Sequence, residues 1–150
     1  MVFVSSRSVS TFLKIMSQKK NVIKPQSFKY FCVLDFEANC QQGKRLDPQE
    51  IIEFPCLMVD ANTFEVIDTF HEYVKPVGIP NITSFCTELT GITQDMVDSK
   101  EDFPTVLEKF QSWYTQNNLT EENSAFVTCG LWDLADMLPK QCSYSGLYCL

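Results

Sequence analysis

Two carboxylates separated by one residue, in the segment Asp35-Phe36-Glu37, are the first candidates for chemistry in this chain. Because side chains alternate between the two faces of a strand, this spacing would place both on one face, about 7 Å apart. Like charges at the end of an apolar strand repel each other and lose hydration unless a cation lies between them. Carboxylate oxygens favour Mg²⁺ or Mn²⁺ as that cation. A bare Asp-x-Glu is also common at solvated strand ends, which is the alternative interpretation.

Asp133 is a third candidate carboxylate, in the segment 128–134 with the sequence TCGLWDL. It follows a predicted strand and lies at the beginning of a predicted helix. Taken alone, the position is also typical of a first-turn carboxylate that interacts favourably with the helix dipole. The residue types therefore indicate an acidic site and leave the function of this third acid open.

The elements that must position these acids predict an α/β domain with a mixed sheet. Apolar runs and alternation predict strands at residues 28–36, 51–59, 64–74 and 125–129. The second and third of these strands are separated by a short polar turn, which is typical of a hairpin. Helical spacing and turn signals predict helices around 82–89, 93–97, 104–114 and 132–141.

Charge is distributed unevenly along the 150 residues, whose net charge is −7. Residues 1–34 contain six basic residues and no acidic residue, whereas residues 35–150 contain six basic residues and all 19 acidic ones. An acidic body of this kind has no broad surface that attracts phosphates. A nucleic-acid function would therefore need divalent metal, or help from the basic leader.

Composition excludes several other classes of protein. A hydrophobic fraction of 45% is too high for a disordered chain, and no apolar window reaches the roughly 18 residues of a membrane span. Seven cysteines without a Cys-x-x-Cys pair disfavour a complete disulfide framework or a zinc ribbon. Reduced thiols and an intracellular, cytoplasmic or nuclear location are therefore predicted.

Residues 1–27 form a serine-rich, basic leader without acidic residues, and residues 28–150 form the predicted domain. The leader contains one arginine and only a short apolar patch, which favours a disordered basic tail. Its composition also fits a mitochondrial transit peptide, so mitochondrial targeting is the alternative.

Four blocks of the sequence carry a resemblance to a known family: YFCVLDFEANC at 30–40, PQEIIEFP at 48–55, FCTELTGIT at 85–93 and FVTCGLWDL at 126–134. Together these blocks resemble the DEDDh 3'–5' exonucleases. More narrowly, they are similar to the enhanced-RNA-interference exoribonucleases, in the prion-protein-interacting branch. The resemblance covers about residues 28–147 and implies a ribonuclease H-like α/β fold, with a mixed five-stranded sheet flanked by helices.

Carried over residue by residue, the resemblance implies a metal site. Asp35 and Glu37 match the first acidic motif of the family and would ligate two ions of Mg²⁺ or Mn²⁺. Glu37 would also position the attacking water as a catalytic residue. Asp133 matches the second acidic motif and would support the second ion through a water molecule.

The resemblance also implies four substrate-binding residues. The backbone at Ala38 would approach the terminal nucleotide. The residues expected to line the terminal sugar and base are Leu89, Gly91 and Ile92. For these three, a helix end packed against the sheet is an equally good interpretation.

The implied activity is two-metal hydrolysis of phosphodiester bonds at the single-stranded 3' end of RNA, with DNA as the alternative substrate. The third motif of the family, which supplies a general-base histidine and a fourth acid, is absent, and the only histidine is His71. We therefore expect a C-terminally incomplete domain that lacks the last strand and closing helix of the family. An inactive regulatory or partner-binding fragment and an acidic interaction module are the other hypotheses, and the sequence does not identify a protein partner for either.

Overall fold

The computed structural model describes residues 27–148, so the predicted leader lies outside the described residues except for Ser27. Its strands are β1 Tyr30–Leu34, β2 Glu37–Ala38, β3 Ile51–Asp60, β4 Val66–Tyr73 and β5 Ser124–Val127. Its helices are α1 Ser84–Thr90, α2 Gln94–Asp98, α3 Phe103–Gln116 and α4 Leu138–Tyr144, with a π-helical segment at Trp132–Met137 before α4. No described helix combines the length and apolar character that a membrane crossing requires.

The described strands form one mixed five-stranded sheet, which confirms the predicted fold class. β3 pairs antiparallel with β1 and with β4, so the predicted hairpin is confirmed, and β5 pairs parallel with β1. β2 was not predicted as a strand of its own, because two residues are too short to show a period. It pairs antiparallel with β3, where Glu37 of β2 lies opposite Glu53. Leu34 of β1 lies opposite Cys56 of the same strand β3, so β1 and β2 have the same register along β3. β2 therefore continues the line of β1 along β3.

An aromatic core packs α3 against the sheet. The Phe54 ring, on β3, lies 4.7 Å from the ring of Phe110 on α3 and 4.8 Å from the ring of Phe36, measured between centroids. α3 begins after Asp102, whose side chain accepts a hydrogen bond from the backbone N–H of Thr105. This core anchors the part of the sheet where Asp35 follows β1 and Glu37 begins β2.

The helix predicted at 132–141 is two segments in the structure. Residues Trp132–Met137 form a π-helical segment, and α4 continues from Leu138. Pro139 lies in the first turn of α4 and has no N–H to donate to the preceding turn, which is a physical reason for the change of helix type at this point. Such π-helical segments occur frequently at functional sites, and this one carries Asp133.

Candidate active site

A cavity of about 540 Å³ lies where β1 is followed by β2, and all three predicted acids line it. Asp35 occupies the gap between β1 and β2, and Glu37 begins β2. Asp133 lies at the beginning of the π-helical segment. The structure therefore brings together in one cavity three carboxylates that are far apart in the sequence.

Phe36 connects the two acidic segments. Its backbone N–H donates a hydrogen bond of 2.8 Å to Oδ1 of Asp133. Its side chain is 3% exposed and packs against Phe54 in the core, although Phe36 lines the cavity together with its neighbours Asp35 and Glu37. Two carboxylates on one side of an extended segment are what the Asp-x-Glu spacing predicts.

The cavity raises the pKa of each of these acids. Burial, followed by the nearby charges of Asp133 and Glu53, raises the pKa of Asp35 to about 7. Burial, the charge of Asp35 and then that of Glu53 raise the pKa of Glu37 to about 8. Burial also raises the pKa of Asp133, although hydrogen bonds from backbone N–H groups oppose this effect. A cation in the cavity would stabilise the ionised form of all three carboxylates and so lower their pKa values again.

Asp35 provides the clearest sign that a cation fits here. Its Oδ2 is buried and has no hydrogen-bond partner among the described residues. In residues 27–148 no three His, Cys, Asp or Glu side chains are arranged to hold a metal ion on their own. Mg²⁺ retains several waters and is commonly held by one or two carboxylates together with substrate phosphates. The oxygen donors of Asp35 and Glu37 fit a site of that type.

The predicted substrate-binding residues divide into two groups. Ala38 and Leu89 line the cavity, whereas Gly91 and Ile92 do not. Gly91 ends α1 with φ of 80°, and its N–H donates to the carbonyl of Thr87. This left-handed residue turns the chain inward, so Ile92 is 2% exposed in a core cluster. The buried members of that cluster are Ile52, Cys86, Ile92 and Val97. Ile92 therefore packs in the core at the end of the helix, as in the alternative interpretation, and does not reach the cavity.

Phe85 also lines the cavity, beside Leu89, although sequence reasoning did not select it. The two residues are four positions apart on α1 and therefore share one helical face. That spacing is the signal that would have found it. Phe85 and Leu89 add apolar side chains to the lining of the cavity, which suits a sugar or base.

Sequence reasoning also missed two further carboxylates, Asp136, which lines the cavity, and Glu53, which lies near it. Glu53 lies on β3 directly opposite Glu37 and is 5% exposed. Its Oε1 is 2.6 Å from Nε2 of His71, on the neighbouring strand β4. His71 is not among the residues that line the cavity. The single histidine of the chain therefore contacts the buried acid Glu53 and does not line the cavity.

Comparisons with known proteins show which family the chain belongs to. The RNase T family of exonucleases matches residues 32–148. Human ERI1 exoribonuclease 3 is 53% identical over 125 residues, which are 82% of this chain and 37% of that protein. The chain thus spans little more than a third of the length of this curated relative.

Two solved structures are similar to the chain. The nuclease domain of 3'hExo, described as a DEDDh family member bound to rAMP, has a TM-score of 0.77 and 40% identity over 83% of this chain and 64% of that one. A 3'-exonuclease solved for recognition of the 3' end of histone mRNA stem-loop has a TM-score of 0.75 and 39% identity, over 81% of this chain and 55% of that one. The chain belongs to the exonuclease family, and its relatives are DEDDh 3'–5' exoribonucleases.

Proposed function

We propose that this chain carries the acidic part of a 3'–5' exoribonuclease active site, which uses Mg²⁺ or Mn²⁺ to hydrolyse RNA from a single-stranded 3' end. Asp35 and Glu37 would hold the metal in this proposal, and Asp133 would support it from the π-helical segment. Bound divalent metal would supply a water of lowered pKa and stabilise the leaving 3'-oxygen.

The buried Oδ2 of Asp35 is the observation that carries the proposal. A carboxylate oxygen without a hydrogen-bond partner is costly in a protein interior, and Asp35 lines a cavity together with three further acids, Glu37, Asp133 and Asp136. A fold that retains such an oxygen favours a ligand that binds it. A divalent cation fits both its charge and its hardness.

The wall of the cavity supports a nucleotide as the substrate. A volume of about 540 Å³ is within the range of small-molecule sites. Ala38 and the apolar pair Phe85 and Leu89 line the same cavity as the acids. RNA is the preferred substrate because the solved relatives are described with rAMP and with the 3' end of histone mRNA stem-loop.

Calorimetric titration with Mn²⁺ tests the metal site. The parent chain should bind Mn²⁺, and a D35N/E37Q double variant should lose the binding heat. A matched control, E121Q/E122Q, removes two adjacent acids that are exposed and do not line the cavity. The control should bind Mn²⁺ as the parent does, and equal binding by all three proteins would contradict the assignment.

Binding of single-stranded RNA tests the substrate. An eight-nucleotide RNA with a free 3'-hydroxyl should bind more tightly when Mn²⁺ is present, and only to proteins that retain Asp35 and Glu37. The same RNA with a 3'-phosphate should bind more weakly, because the added charge and bulk occupy the place of the terminal sugar. Equal affinity for both RNA ends would rule out recognition of a 3' end.

A regulatory or partner-binding role is the second candidate function. It is favoured by the position of His71, which contacts Glu53 and lies outside the cavity, so no described histidine can act as a base there. In this role the acids would bind metal and RNA without rapid hydrolysis. Tight Mn²⁺-dependent RNA binding with no shortening of the RNA would favour it.

A further inference from the structure

Lys44 and Arg45 are exposed residues that line the cavity, so they place positive charge at the solvent-facing mouth of an otherwise acidic site. Residues 30–150 contain only six basic residues, and these two are adjacent in the sequence. They are also the only lysine and arginine among the described residues that line the cavity. Because basic residues are few in this part of the chain, two of them in the lining of one cavity distinguish it from the rest of the acidic surface.

The loop between β2 and β3 holds these two residues in place. Gln41 and Lys44 form an antiparallel bridge around a turn in which Gly43 has φ of 69°. Immediately after Arg45, the Leu46 side chain is buried and anchors the loop. The bridge and the buried Leu46 therefore fix the backbone position from which the Lys44 and Arg45 side chains extend.

The charged ends of both side chains are available to a ligand. The ammonium of Lys44 has no ion pair or hydrogen bond to any residue in the described range. A guanidinium nitrogen of Arg45 lies 3.8 Å from Asp136, and the Arg45 side chain is 67% exposed. So long and exposed a pair contributes little to stability. Asp136 is also paired with Lys140, so it does not depend on Arg45 for a counter-charge.

We propose that Lys44 and Arg45 bind backbone phosphates of the polynucleotide just upstream of its 3'-terminal nucleotide. This inference rests on the proposed function, since the 3' end itself would occupy the acidic part of the cavity. An arginine fork matches phosphate oxygens in a bidentate way, and a lysine adds a mobile point charge. Contacts of this kind set the position of a strand without reading its sequence.

Lys44 and Arg45 would also reduce the electrostatic repulsion between the acidic cavity and a polynucleotide. An acidic cavity repels a polyanion, and metal at Asp35 and Glu37 compensates only where the reacting phosphate lies. The next phosphates of the strand would meet the mouth of the cavity, where Lys44 and Arg45 are. The alternative is that both residues only balance nearby acids such as Asp136.

Fluorescence anisotropy over a range of salt concentrations separates these two roles. The probes are 5'-labelled (U)₈ and (dT)₈ whose 3'-terminal linkage is a phosphorothioate to slow hydrolysis, in buffer with Mn²⁺ or with EDTA. The proteins are the parent, K44Q/R45Q, the charge-matched control K75Q/K100Q and D35N/E37Q. Lys75 and Lys100 do not line the cavity. Thermal unfolding of each variant verifies that it is folded.

For K44Q/R45Q we expect a weaker salt dependence of binding: the negative slope of log K against log salt should decrease in magnitude by about 1.4. This is about 0.7 for each of the two lost phosphate contacts on a single strand. The affinity should fall about tenfold for RNA and for DNA alike, because both have the same phosphates. The control K75Q/K100Q should keep most of the parent slope, and K44R/R45K should restore much of the binding.

An unchanged slope in K44Q/R45Q, an equal loss in the control, or a loss for RNA alone would each overturn the inference. A parent chain that binds neither probe would overturn it as well. The proposed function fails separately, if Mn²⁺ strengthens binding to D35N/E37Q as much as to the parent. In that case a slope change in K44Q/R45Q would still establish a phosphate-binding loop.

Discussion

The backbone N–H of Phe36 donates a hydrogen bond of 2.8 Å to Oδ1 of Asp133, although the two residues are 97 positions apart in the sequence. Phe36 lies between Asp35 and Glu37, so this bond ties the third acid to the backbone that carries the first two. Asp133 is 2% exposed, and the bond satisfies one of its oxygens. The relative position of the three carboxylates therefore depends on a backbone contact that joins the two acidic segments.

Replacement of Asp133 should separate its structural role from its charge. In D133N the amide oxygen can still accept the hydrogen bond from Phe36, so we expect stability close to that of the parent. In D133A the buried N–H of Phe36 loses its partner, which should lower the free energy of unfolding by about 1–3 kcal/mol. Urea denaturation measures both. Equal stability of D133A and the parent would show that this hydrogen bond does not hold the site together.

Removal of the charges of Asp35 and Glu37 should stabilise the metal-free protein at alkaline pH. The pKa values of about 7 and about 8 in the folded chain exceed the ordinary values of 3.8 and 4.5, so folding takes up protons. The parent should therefore lose stability, relative to D35N/E37Q, as the pH rises from about 4.5 through about 8. In EDTA at pH 8.5 the variant should melt a few degrees higher.

Added Mn²⁺ should make the parent melt at a higher temperature than D35N/E37Q, the reverse of the order expected in EDTA. Mn²⁺ binds the folded parent through the two carboxylates and should raise its melting temperature, whereas D35N/E37Q should respond little. Differential scanning fluorimetry at pH 5.5, 7 and 8.5, with EDTA or with Mn²⁺, gives both comparisons. A constant difference between parent and variant across these pH values would contradict the raised pKa values.

Loss of the His71 side chain should destabilise the fold and leave metal binding in place. In H71A the Oε1 of Glu53 loses its contact of 2.6 Å while the carboxylate remains 5% exposed. A buried acid without its partner should cost about 1–3 kcal/mol, and H71A/E53L should recover part of this loss. Urea denaturation measures the stability, and calorimetry measures Mn²⁺ binding. A complete loss of Mn²⁺ binding in H71A would place His71 in the metal site.

We expect the 150-residue chain to hydrolyse RNA slowly. The acids that would hold metal are present, but the single histidine contacts Glu53 and does not line the cavity. Absence of a general base typically lowers a rate by about 10²–10⁴. Incubation of 5'-labelled single-stranded RNA with Mg²⁺ or Mn²⁺, beside the D35A variant, measures the activity. Rapid shortening from the 3' end by the parent alone would mean that another group supplies the base.

Local periodicity in the sequence determined the parts of the protein that depend on near neighbours. The alternation in Asp35-Phe36-Glu37 predicts two acids on one side of an extended segment, and the register of β1 and β2 along β3 agrees with it. The β3–β4 hairpin and the long helix α3 follow from short-range patterns of the same kind. Family blocks in the sequence added the match of Asp133 to the second acidic motif.

Only the tertiary structure decided which distant residues meet. The contact between Phe36 and Asp133 closes a loop of 97 positions, and the pair of Glu53 and His71 forms between strands, so neither follows from a local pattern. Gly91 turns Ile92 into the core, while the turn around Gly43 places Lys44 at the cavity. Such placements depend on how the elements pack over long distances, because packing determines which side of each turn is buried.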